Sequence, residues 1–181
     1  YTIDVAVDGN EKRILKQSGC KRATIAPVSY YKPPKTTAQT EKRPVVIGFG
    51  PAGMFAALIL ARAGLKPIVL ERGDDAATRH KKVEAFFQTG VLDPGSNVQF
   101  GEGGAGTFSD GKLTTGIKDS RCRFVFEEFV SHGAPVDILT NAKPHIGTDK
   151  LKETVKAIRE EIISLGGTIL FETQLTNIIV A

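Results

Sequence analysis

The residues best suited to chemistry in this 181-residue chain are three glycines, spaced Gly48-x-Gly50-x-x-Gly53, and one acid, Glu71. Their chemistry is the holding of a dinucleotide through its pyrophosphate and one ribose. Gly48 permits a tight turn out of a strand. Gly50 lacks a Cβ, so the backbone can approach a pyrophosphate, and Gly53 lets a helix pack closely on the strands. Pro51 and Ala52 lie between them, where a helix N-terminus offers free N–H groups and a positive dipole end to phosphates. Glu71 falls 18 residues beyond Gly53. It can accept hydrogen bonds from a ribose diol, and its charge disfavours the 2′-phosphate of NADP.

These residues act together only if a strand, a turn, a helix and a second strand hold them. Val45–Ile47 is a β-branched run that suits a buried parallel strand. Residues 52–63 are rich in Ala, Leu and Met and predict a helix, with Gly64 at the C-cap. Lys66–Leu70 predicts the second strand, and Glu71 ends it. The result is a βαβ unit and an α/β fold with a Rossmann-like parallel sheet. Residues 44–61 are uncharged and long enough to raise a membrane span, but Gly48, Gly50, Pro51 and Gly53 split them into two short runs. No membrane partner is expected.

The fingerprint alone leaves FAD and NAD open. GFGPAG, the helix after it and LERG resemble the two-dinucleotide-binding flavoproteins, whose first βαβ unit holds the ADP half of FAD. FGEGGAGTFSDGKL and KPHIGTD resemble one branch of them, the bacterial FAD-dependent, NAD(FAD)-utilising dehydrogenases. The resemblance covers roughly residues 43–181 and extends weakly to the segment before them. It implies FAD as cofactor, with NAD(H) as a possible second substrate. It also implies that Arg72 joins Glu71 at the cofactor. Gly103, Gly104, Gly106 and Thr107 would form a nest along the pyrophosphate or flavin edge. Backbone around Gln174 and Leu175 would clamp adenine. The family's late Gly-Asp pair, whose acid holds the ribityl chain, has no counterpart after residue 111. The chain therefore reads as a fragment with most of an ADP half-site and without a substrate domain.

Other segments set expectations of their own. Tyr1–Asp8 alternates apolar and polar residues like a half-buried strand, and Gly9-Asn10 reads as a turn. Residues 11–43 read as a basic linker, giving a division into 1–43, the tail of a small N-terminal domain, and 44–181, the cofactor domain. Residues 76–89 predict a helix with Val83, Phe86 and Phe87 inward. Residues 121–132 predict another, with Phe126, Phe129 and Val130 inward. Asp149 is the expected N-cap of a third helix that buries Leu151, Val155, Ile158 and Ile162. Thr168–Phe171 and Leu175–Val180 read as strands.

Composition narrows the function classes. The chain is 41% hydrophobic and 24% charged, which is globular. Its net charge of +4 sits in the arm: residues 1–43 hold nine Lys/Arg against four Asp/Glu. No nucleic-acid motif accompanies it, so a nucleic-acid partner is not expected. Cys20 and Cys122 lack CxxC spacing, which supports neither a redox disulfide nor a zinc site, and they read as reduced thiols. No leader is visible, and a cytoplasmic location is expected. Ser109, Asp110 and Lys112 are polar candidates beside the glycine loop, or a turn. His145 is a candidate proton donor or a structural loop residue, and His80 and His132 read as solvated. The reading is a flavin-dependent oxidoreductase that passes a hydride through flavin N5, acting on a small molecule not identified by sequence. The alternatives are an NAD-only dehydrogenase, or an RNA-modifying or non-catalytic nucleotide-binding flavoprotein.

Overall fold

In the computed structural model, residues 3–26, 30–35 and 40–179 are described. Three short parallel strands form one sheet in the order β1 (Val45–Ile47), β2 (Ile68–Leu70), β3 (Thr168–Leu170). Val46, Val69 and Ile169 stand level across it. Helix α2 (Pro51–Arg62) joins β1 to β2, as the glycine turn requires. It is apolar almost all round and buries Met54, Ala57, Leu58 and Ala61, while Pro51, Ala52 and Ala56 stay exposed. Gly64 follows the C-cap residue Ala63 with φ 79° and ends the helix. The strand after it starts two residues later than expected: Lys66 itself has positive φ, and pairing begins past Pro67.

Three further helices follow α2 along the chain: α3 (Ala76–Thr89), α4 (Ser120–Ser131) and α5 (Thr148–Ser164). Helix α3 is capped by Asp75, whose Oδ1 accepts from Ala77 N at 2.9 Å, and stopped by Gly90 with φ 73°. Val83 is buried, but Phe87 is exposed and does not face inward. A 3₁₀ turn (Ala105–Phe108) lies within the glycine-rich segment, and a second (Val136–Leu139) follows α4. Helix α5 buries Leu151, Val155, Ile158 and Ile162 as its periodicity requires. Its N-cap is Gly147, however, and Asp149 sits in the first turn with its side chain in solvent. There it still complements the helix dipole.

Helices α2, α4 and α5 share one core with the sheet: Leu58, Val69, Phe129, Val155, Ile158 and Ile162 lie in it. A charge cluster ties the same helices at their far ends. Arg62 on α2 reaches Glu128 of α4 and Glu161 of α5, both at 2.6 Å. His132 Nε2 lies 2.7 Å from Glu161 Oε2. His132 is therefore packed into the cluster, its side chain 7% exposed, rather than solvated. Arg62 holds the Glu161 carboxyl below the usual range, and burial opposes the shift.

The N-terminal segment departs most from expectation. Tyr1 and Thr2, within the proposed first strand, lie outside the described residues. Ile3–Val7 forms no strand, and Ile3 is 78% exposed. Alternation supplied an apolar face but no ladder partner. Within the linker, Glu11–Ser18 forms a helix, α1. Asn10 caps it by accepting from Arg13 N at 3.0 Å, and Gly19 closes it with φ 59°. Local capping is enough here, since α1 buries nothing. After β3 the chain still bonds to the β2 end, Glu172 N to Gly73 O and Thr173 N to Glu71 O. It turns at Glu172, φ 51°, and residues 175–179 form no strand. Val180, in that expected strand, is outside the described residues.

Candidate functional site

The loops after β1 and β2 meet through one side chain. Glu71, 4% exposed, accepts from Phe49 N at 2.7 Å through Oε2 and from Gly73 N at 2.9 Å through Oε1. Gly48 turns the chain at the strand end with φ 87°, and its N–H donates to Leu70 O at 2.7 Å. Gly53 is a packing residue, because a Cβ there would overlap the Gly48 carbonyl oxygen. Gly50 differs: the nearest atom to an added Cβ is Gly104 Cα at 4.0 Å, and the space beyond is open.

That space is a cleft of about 400 Å³ at the carboxyl ends of the strands. Gly48, Gly50, Glu71, Arg72, Gly104 and Leu175 all line it, six of the twelve residues expected at a cofactor. Gln174 joins them on the wall. The wall also holds Gln99, Phe100, Gly101 and Thr173, which sequence reasoning did not single out. Arg72 lies over the Phe100 ring at 3.9 Å and donates from Nη2 to Pro94 O at 3.0 Å. Its Nε is buried with no partner among the described residues.

The remaining expected residues separate into two groups. Gly53 and Thr107 are internal. Thr107 is fully buried, and its hydroxyl donates to Gly104 O at 3.1 Å, so it braces the glycine loop from behind instead of facing a ligand. Pro51, Ala52, Gly103 and Gly106 line a second hollow, of about 540 Å³, between α2, α4 and α5. The contact of Gly104 with Gly50 and Pro51 lies between the two spaces.

Arg79 organises the loop and was missed. It is fully buried on α3. Nε donates to Asn97 O at 2.7 Å, Nη1 to Glu102 O at 2.7 Å and Gly104 O at 2.9 Å, and Nη2 to Val98 O at 2.8 Å. Four carbonyls are thus drawn inward. Burial pushes its pKa down to about 10, against the pull of Glu71 and Glu102, so it remains a cation at neutral pH. Glu102, also buried, caps α3 by accepting from Ala76 N at 2.7 Å, and burial raises its pKa. The available signal was positional: Arg79 lies on the helix face shared by Ala76 and Val83.

Ser109, Asp110 and Lys112 lie at the surface beyond the loop. Lys112 pairs across an isolated antiparallel bridge with His145, so two separately noted candidates are neighbours. Cys20 and Cys122 are free thiols. Among the described residues no group of three His, Cys, Asp or Glu can hold a metal, and no helix is long and apolar enough to cross a membrane.

A parallel βαβ unit, a glycine turn into α2 and an acid ending β2 beside an open cleft define a dinucleotide-binding domain. The comparison with known families narrows this. The model of the FAD binding domain matches residues 42–178, and the chain belongs to that family. A protein of Clostridium beijerinckii, described only as uncharacterized, is 59% identical over 142 residues. The match covers 78% of this chain and 27% of that relative, so the chain spans about a quarter of its length.

FAD fits the residues present. The cleft is open where Gly50 lacks a Cβ, the acid Glu71 lines it, and a buried Arg72 N–H is left without a partner among the described residues.

Proposed function

We propose that residues 44–178 hold FAD with its ADP half in the cleft, as part of a flavin-dependent oxidoreductase of the NAD(FAD)-utilising dehydrogenase type. The observation that carries this reading is the open approach at Gly50, in the cleft that Glu71 also lines. The flavin would supply hydride acceptance and donation at N5. The chain's own residues bind and orient. The Gly50 backbone, at the N-cap of α2, meets the phosphates. Glu71 already spends one hydrogen bond per oxygen on backbone, and each oxygen keeps a lone pair for a ribose hydroxyl. Arg79 holds residues 97–104 so that the loop keeps its shape against a charged ligand. Turnover, with NADH as hydride donor, belongs in this reading to a longer protein like the relative. Residues 1–43 belong to a preceding unit.

The test is calorimetric titration of ADP into the chain and its Gly50→Val variant, alongside identification of any flavin released on gentle denaturation. The variant should keep its circular dichroism and bind ADP at least about 30-fold more weakly. A variant that binds ADP like the parent would overturn the phosphate-loop reading. Released NAD without flavin would overturn the choice of FAD.

A further inference from the structure

The glycine-rich segment is held from two sides, and one of its ties is a buried charge. Gly101 lies against α3, where an added Cβ would overlap the Arg79 Cδ, and Gly103 lies against Val155 of α5. Gly101 and Gly104 line the cleft. Glu102 stands between these glycines and is fully buried. Its backbone is fixed: N donates to Asp74 O at 3.0 Å, and O accepts from Arg79 Nη1 at 2.7 Å.

The two oxygens of its side chain are served unequally. Oε2 accepts from Ala76 N at 2.7 Å, which ties the segment to the first turn of α3. Oε1 has no hydrogen-bond partner among the described residues. The cation nearest to it is Arg159 of α5, with Nε at 3.4 Å. The Arg159 side chain is 18% exposed, and its guanidinium lies over the Phe171 ring at 5.7 Å. A buried carboxylate with one oxygen held by charge alone is costly to keep ionised. Burial raises the Glu102 carboxyl above the ordinary range, against the Ala76 amide and the Arg159 and Arg79 cations and with the help of Asp75. Asp74, the remaining acid beside it, pairs with Lys82 at 2.7 Å.

The two protonation states differ in one tie. The carboxylate holds α3 through Ala76 and α5 through Arg159. The acid keeps an oxygen for Ala76 N but offers Arg159 no charge, so the tie to α5 is lost while that to α3 stays.

We propose that Glu102 is a pH-sensitive latch on the glycine-rich segment, closed against Arg159 when ionised and released from α5 when it takes up a proton. The segment forms one wall of the cleft, so acidification loosens that wall from its α5 side. The latch rests on the packing of the segment between α3 and α5 and is independent of the FAD reading.

The test is nuclear magnetic resonance of the isotope-labelled 181-residue chain between about pH 4 and pH 8. The Glu102 carboxyl carbon should titrate above the ordinary carboxylate range, and the Arg159 Nε–H resonance should move with the same midpoint. Arg159→Met should raise that midpoint, and Asp75→Asn should lower it. Amide exchange, corrected for its intrinsic pH dependence, should find Gly103 and Gly104 about fivefold less protected below the midpoint than above it. Glu102→Gln should show the lower protection at every pH. Arg159→Met should do the same, and it keeps the test available if Glu102→Gln does not fold. A Glu102 midpoint within the ordinary range, an Arg159 resonance that ignores it, or equal protection of the two glycines on both sides of it would overturn the latch.

Discussion

Replacing Glu71 separates two roles that the structure gives to one side chain. The carboxylate bonds to Phe49 N and Gly73 N, joining the glycine turn to the loop after β2. A hydrogen bond to a charged group contributes about 1.5–3 kcal/mol. Two such bonds set an upper range of about 3–6 kcal/mol. Because Glu71 lines the cleft, water can reach the freed amides in Glu71→Ala, which favours the lower end. The expected loss of stability is thus about 3 kcal/mol, read as a shift in the urea midpoint at unchanged slope. Glu71→Gln keeps one acceptor oxygen and turns an NH₂ toward the other amide, so it should lie between Ala and the parent. Loss of the ribose contact is a separate effect. ADP affinity should fall by a further 1–3 kcal/mol, roughly 5- to 150-fold, measured where each variant is fully folded. An Ala variant with the parent's urea midpoint would refute the bracing role. One that is destabilised yet binds ADP normally would refute the ribose role.

The two helix-start glycines should behave oppositely. Gly53→Ala should cost about 3 kcal/mol by overlap with the Gly48 carbonyl, whereas Gly50→Ala should change apo stability by no more than about 0.5 kcal/mol; thermal melts compare them directly. Arg79→Met removes one donor from each of four carbonyls and should cost about 3–5 kcal/mol with faster amide exchange across residues 97–104, so an unchanged melting temperature would remove its organising role. The Glu161 carboxyl is held below its ordinary range chiefly by the Arg62 hydrogen bond, so its contribution is present above the unfolded carboxyl's pKa and is lost as pH falls through the folded one. Glu161→Gln should therefore be about 1 kcal/mol less stable than the parent at pH 7 and equal to it near pH 3; a pH-independent difference would contradict this.

What the chain's letters determined by themselves was local. Glycine spacing, β-branched runs and helix periodicity specified where β1, α2 and β2 lie and the buried face of α5, because each depends on neighbours within a few turns of the same segment; the burial expected of β1 did not follow, since Val45 and Ile47 are more than half exposed. Glu71 and Gly50 were legible for the same reason: strand, turn and helix leave them little choice of position, whereas Gly104 was expected only from the family resemblance. Asn10 and Gly19 were equally local and show that α1 was readable from its caps, had capping been weighed above the basic composition around it. Tertiary structure alone decided the rest. Whether Ile3–Val7 pairs depends on a strand elsewhere offering a ladder, and alternation cannot supply one. Arg79 becomes a hub only because residues 97–104 fold back over α3. Thr107 turns inward, and Gly103 and Gly106 face a different hollow from Gly104, because a loop without periodicity takes its direction from distant contacts, here Phe49 and Val155. Lys112 and His145, 33 residues apart, meet for the same reason: backbone pairing over that distance is set by the packing of Leu113 and Ile146 into the core, which no local rule contains.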